Sequence, residues 1–231
     1  MNYLKSVLQR KLFFLLLILK LTNLPGQVPV HEEPRHHLVF QNKEIRILNV
    51  LIPPGDTTQY HIHTTPSLFI GLSGTTTGSQ LQGGKGSAGK STAGTILFEN
   101  LAPPNIRTHR VWNADKDTFN VMDMELLMKD TVFDKMPLKM PNLELEIDTN
   151  WVRTYRLTML GGTEFMIKNE KQLLILVSLN VATMQTKQNG KTGYQSLKSG
   201  SYFVIEKRQS FSIKNTSDKN VPFVLVELPT Q

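Results

Sequence analysis

After residue 26 the chain is divided into short apolar runs, and no long stretch has clean helical periodicity. The runs at 45–52, 67–72, 119–126, 153–160, 173–182, 202–205 and 223–228 are rich in β-branched and aromatic residues. Turn formers separate them: Pro53-Pro54-Gly55, Asn189-Gly190, Ser199-Gly200 and Ser217-Asp218. Short strands with such punctuation predict an all-β chain of antiparallel barrels or sandwiches. The 231 residues suffice for one large domain or two small ones. With 39% hydrophobic and 19% charged residues, the chain has too much apolar content to be wholly disordered.

The chain also repeats itself. THRVWNADKDTFNVMDMEL at 108–126 is echoed by SFSIKNTSDKNVPFVLVEL at 210–228. Asn113 aligns with Asn215, Val111 with Ile213 and Glu125 with Glu227, as an internal duplication predicts. The segment 130–150, with Pro137 and Pro141, reads as the linker between the copies.

Residues 1–26 have the layout of a secretory signal. Lys5, Arg10 and Lys11 precede an apolar run from Leu12 to Leu19, and Pro25-Gly26 follows. Lys20 ends the run well short of the roughly 20 residues of a membrane span. The expectation is a secreted or periplasmic protein with no membrane span after cleavage. Loss of Lys5, Arg10, Lys11 and Lys20 lowers the net charge from +7 to +3. No concentrated basic block remains, so nucleic acid is not an expected partner.

Cysteine is absent, which excludes disulfides, zinc-thiolate sites and a cysteine nucleophile. Any metal must then be held by nitrogen and oxygen ligands. Residues 84–91, GKGSAGKS, satisfy a phosphate-loop pattern, but no helix-forming run follows them. The segment reads better as a hairpin excursion. Asn215-Thr216-Ser217 matches a glycosylation acceptor.

His61 and His63 lie two apart, so on a strand both imidazoles project to one face. His109 sits on a later strand, and three imidazoles could hold one ion with open positions left over. Arg110, Trp112, Tyr60 and Ile62 alternate with these histidines and should face away. His31, Glu32, Glu33, His36 and His37 read as a polar segment at the edge of a first strand. Asp123 and Glu125 lie on a neighbouring strand whose facing the sequence leaves open.

The frame around these histidines resembles the cupin superfamily. Gly55, five residues, His61 and His63, then Gly74 follow the family's first motif, with Ser67 where the family has a ligating Glu. Pro104, His109 and Asn113 follow the second, while Phe98 and Ile106 replace its two glycines. The resemblance implies a bicupin of two antiparallel double-stranded β-helix (jelly-roll) barrels. The first, at 33–129, would hold the site. The second, at 151–231, would be a degenerate copy with Ile167 in the His-x-His region and Phe211 in the place of His109. It implies a divalent metal on His61, His63 and His109, with Fe(II) favoured over Ni, Cu, Zn or Mn. The function implied is a metal-dependent dioxygenase acting on a small organic molecule, with no general acid or base identifiable. The rivals are a non-catalytic small-molecule-binding module and an oligomerising structural protein; a homodimer is the candidate assembly.

Overall fold

The computed structural model describes residues 27–129, 131–168 and 171–229. The expected signal segment, 1–26, lies outside the described residues. The first half contains β1 (Val28–Pro29), β2 (His36–Gln41), β3 (Ile45–Ile52), β4 (His61–His63) and β5 (Ser67–Gly71). It continues with β6 (Thr76–Leu81), β7 (Gly86–Lys90), β8 (Ile96–Glu99), β9 (Arg107–Asn113) and β10 (Phe119–Leu126). The second half contains β11 (Leu143–Asp148), β12 (Arg153–Met159), β13 (Glu164–Lys168), β14 (Leu174–Ser178) and β15 (Ala182–Gln188). It ends with β16 (Lys191–Leu197), β17 (Tyr202–Ile205), β18 (Ser210–Asn215) and β19 (Val221–Glu227). Strand β11 falls inside the stretch read as a linker and pairs with β12.

The strands form four sheets, and their orders show the repeat. One sheet of the first half runs β2-β3-β10-β5-β8, and its counterpart runs β11-β12-β19-β14-β17. The other runs β1-β4-β9-β6-β7, and its counterpart runs β13-β18-β15-β16. The first half differs only by the added β1, which lies parallel to β4. The correspondence extends to single residues. Glu125 stands opposite Arg46, and Glu227 opposite Arg153. Asn113 donates through Nδ2 to the carbonyls of Ile52 and Asp117 and accepts from the amide of Asp115. Asn215 donates likewise to Met159 and Lys219 and accepts from Ser217. An asparagine fixed at the end of a strand in this way satisfies backbone groups that the sheet leaves unpaired. It also buries Asn215 completely, so the acceptor asparagine of the glycosylation sequence is not presented at the surface.

Period-2 alternation places the core. On β10, Met122, Met124 and Leu126 point to one side, into a cluster with Ile45, Ile47, Leu68 and Ile70. The same cluster takes Val152, Ile175, Val177, Val224 and Val226 from the second half. The halves therefore share a core between the faces of two sheets. The second half covers a face of the first. A second cluster, including Tyr155, Leu157, Phe165, Phe211 and Phe223, fills the interior of the second half. The interior of the first half holds a cavity instead.

Candidate metal centre

The cavity, about 580 Å³, lies between the two sheets of the first half. Alternation on each strand selects what faces it. From β10 come Phe119, Val121 and Asp123, and from β9 Arg107, His109 and Val111. From β4 come His61 and His63. The residues between them turn outward as expected: Arg110 lies over the Tyr60 ring, 5.1 Å from its centroid. Trp112 lies against Gly78, where a Cβ would come within 2.0 Å of the indole.

His61 stands directly opposite His109 across the β4–β9 ladder. The ligand atoms of His61, His63 and His109 all lie within 4.8 Å of one another. The Nε2 atoms of His63 and His109 are 3.2 Å apart. Two imidazole nitrogens on one ion, each at about 2.0–2.1 Å, lie roughly 3.0–3.4 Å from each other. His61 Nδ1 lies 2.9 Å from the carbonyl oxygen of Gln59, to which it donates, which leaves the Nε2 lone pair free. That Nε2 is buried and has no hydrogen-bond partner. A buried, unpartnered nitrogen in a cluster of imidazoles fits a cation that the three residues would hold together.

Burial favours the neutral, ligating form of each ring. It pushes His61 down to about 4. It pushes His63 down to about 2, aided by His109 and His61. It pushes His109 down to about 3, aided by His61 and Arg107. Ser79 Oγ lies 3.1 Å from His109 Nδ1 and orients that ring. Behind His63, on the side away from His109, Asp123 Oδ2 is 3.9 Å from Nδ1. Neither carboxyl oxygen of Asp123 has a hydrogen-bond partner. Burial, then Glu125 and Glu99, raises its pKa well above the usual carboxylate range. At 3.9 Å Asp123 and His63 are not hydrogen-bonded, and His63 Nδ1 is likewise buried without a partner.

Ser67 does not replace the missing carboxylate. It is fully buried, and its hydroxyl donates to the carbonyl of Thr65. Glu125 is engaged by Arg46 at 2.7 Å and by Thr65. Arg107 forms a two-point pair with Glu99, at 2.5 and 2.6 Å, in the cavity wall.

Two residues of the N-terminal polar segment, Glu33 and His36, depart from its sequence reading by being buried. The segment does edge the first sheet, but His36 is buried and faces the cavity, with its ring centroid 4.6 Å from that of His61. Its Nδ1 is 2.6 Å from Glu33 Oε2. Alternation in a strand with His at two adjacent positions could not tell which of His36 and His37 points inward. The phosphate-loop pattern is also placed: residues 86–90 form exposed β7, paired with β6 as a hairpin.

Among the described residues, the second half has no counterpart to the cluster. Ile167 stands opposite Phe211, as His61 stands opposite His109. Counting from the paired Arg–Glu positions puts Leu143 in the place of His36 and Leu225 in the place of Asp123. All four residues pack in the apolar interior.

No protein-family model matches the sequence, and no curated protein matches it. Solved structures do match in fold. AerE from Microcystis aeruginosa superposes with a TM-score of 0.59 at 15% identity, covering 88% of this chain and 97% of that one. Salicylate 1,2-dioxygenase from Pseudaminobacter salicylatoxidans gives 0.61 at 12% identity, covering 92% and 81%. YhaK from Escherichia coli gives 0.54 at 15% identity, covering 87% and 95%. The duplicated strand order, the His pair facing a third His, and these neighbours together give the chain the cupin fold, in its two-copy, bicupin form.

Proposed function

We propose that this chain is an exported metal-dependent cupin enzyme of the dioxygenase type, acting on a small organic molecule. The observation that carries the reading is the buried trio His61, His63 and His109, with an unpartnered His61 Nε2, at the wall of a largely apolar cavity. These three residues would hold one divalent ion, Fe(II) in preference to Ni, Cu, Zn or Mn. When bound, the ion supplies Lewis acidity or redox chemistry. Gln59 and Ser79 hold the rings of His61 and His109 in the orientation that presents their nitrogens. Val50, Phe69, Val111, Phe119 and Val121 line the cavity, exclude water and accept the apolar body of a small substrate. A solved neighbour is named as a salicylate 1,2-dioxygenase, which supports oxygen chemistry on a small ring compound as the reaction class. Export rests on the basic and apolar pattern of residues 1–26.

The test is elemental analysis of protein purified without a chelator or His tag, beside His61→Ala/His63→Ala. The expected result is about one iron per wild-type chain and none in the variant, followed by oxygen uptake with small organic substrates. Wild-type protein that takes up no metal after anaerobic reconstitution would overturn the reading. A second reading, a binding module without turnover, is favoured by the absence of a ligating carboxylate, since Ser67 is turned to Thr65. Metal binding without oxygen consumption on any substrate would select it.

A further inference from the structure

We infer that His36, held by Glu33, is a substrate-contacting residue that accepts a hydrogen bond from a hydroxyl group of the ligand beside the three-His cluster. The inference rests on the proposed function for the identity of the neighbouring centre, but the contact itself depends on His36 alone.

Glu33 is 2% exposed and His36 is 7% exposed, so the pair is built into the interior. Burial pushes the Glu33 carboxyl up, but the hydrogen bond from His36 and the amides of Arg35 and Gln59 outweigh it and hold the group below its usual value. An ionised Glu33 accepts from Arg35 N at 2.8 Å, from Gln59 N at 3.1 Å and from His36 Nδ1 at 2.6 Å. A carboxylate on Nδ1 fixes the proton there and leaves Nε2, at the opposite edge of the ring, as an acceptor. That edge belongs to a residue of the cavity wall.

His36 is not one of the three clustered ligand positions. Its ring nonetheless lies as close to His61 as His109 does, with centroid separations of 4.6 and 4.7 Å. A group bonded to it is therefore held next to the centre. Over the wall formed by Val50, Val111 and Val121 the cavity is apolar, so an oriented acceptor there selects a ligand that carries a donor. An apolar cavity with a few placed polar groups discriminates chiefly through those groups, because a buried acceptor left unpaired is costly. The ligand class is a small molecule with an apolar body and a hydroxyl group. The equivalent position in the second half is Leu143, packed against that half's apolar interior, so the fold itself does not require a polar residue there.

The test uses the full chain loaded with redox-inert Zn(II), with phenol and its methyl ether, anisole, as probes. Wild type is expected to bind phenol more tightly than anisole. In His36→Leu that preference falls by about tenfold, the worth of one hydrogen bond, while zinc stoichiometry is unchanged. His36→Gln, which restores an acceptor, recovers part of the preference. A preference unchanged in His36→Leu, or no preference in wild type, overturns the inference. Loss of zinc in His36→Leu also overturns it, by making His36 a ligand. If wild type binds no zinc, the metal reading fails on its own, and the same probe ratio on the metal-free protein still decides the role of His36.

Discussion

At the scale of single residues, the first half buries groups that most protein interiors exclude. Asp123 is fully buried with both oxygens unpartnered, and His61 and His63 are buried beside an open cavity. Such groups cost stability unless a ligand or ion completes them. Replacing Asp123 by Leu, as Leu225 replaces it in the second half, is expected to stabilise the metal-free protein by about 1–3 kcal/mol. Urea denaturation checks this, and an unchanged or lower midpoint would contradict it. The histidines add a pH dependence. Their folded values, about 4, 2 and 3, lie below the ordinary 6.5. Between 6.5 and those values the unfolded chain binds protons that the folded chain does not. Stability is thus complete above pH 6.5 and declines as pH falls toward 4. The urea midpoint of metal-free wild type should fall over that interval. His109→Phe, which installs the residue found at the matching position of the second half, should flatten the decline.

At the scale of elements, a strand in this molecule serves two environments at once. Strand β10 sends Val121 and Asp123 into the cavity and Met122 and Met124 into the shared core. Its partners β3 and β5 are equally two-faced, which is why these runs read as nearly continuous apolar stretches in sequence. Met124 is fully buried. Met124→Ala should cost about 2–5 kcal/mol in urea denaturation. Iron content should persist, because position 124 faces away from the histidines. Loss of metal binding with no loss of stability would contradict this division of faces. The hairpin of β6 and β7 shows the reverse case. All five residues of β7 are exposed, so the phosphate-loop pattern lies in a glycine-rich strand with no helix N-terminus behind it.

At the scale of the whole molecule, duplication divided labour between the halves. One copy kept a polar, cavity-lining interior, and the other filled the same positions with Leu143, Ile167, Phe211 and Leu225. The filled copy covers a broad apolar face of the first. Residues 27–129 expressed alone would expose Ile45, Ile47, Leu68, Ile70, Met122 and Met124. That fragment should self-associate, as light scattering after size exclusion would show, and a stable monomer would refute the prediction. Much of this was legible in the residues. Period-2 runs and turn formers implied the all-β architecture, and the echo of 108–126 in 210–228 implied the repeat. The spacing of His61, His63 and His109 put three imidazoles on one side of paired strands. These follow from local rules, since alternation and turn chemistry act within a few residues. What the tertiary structure decided is set by distance across the fold. It turned Asp123 toward His63 on a strand remote in sequence, and it placed β11 within an apparent linker. It made the contact between the halves a face, and it brought the Glu33–His36 pair from an N-terminal edge to within reach of His61. No local pattern encodes these, because each depends on which sheets pack together and how deeply the packing buries the groups between them.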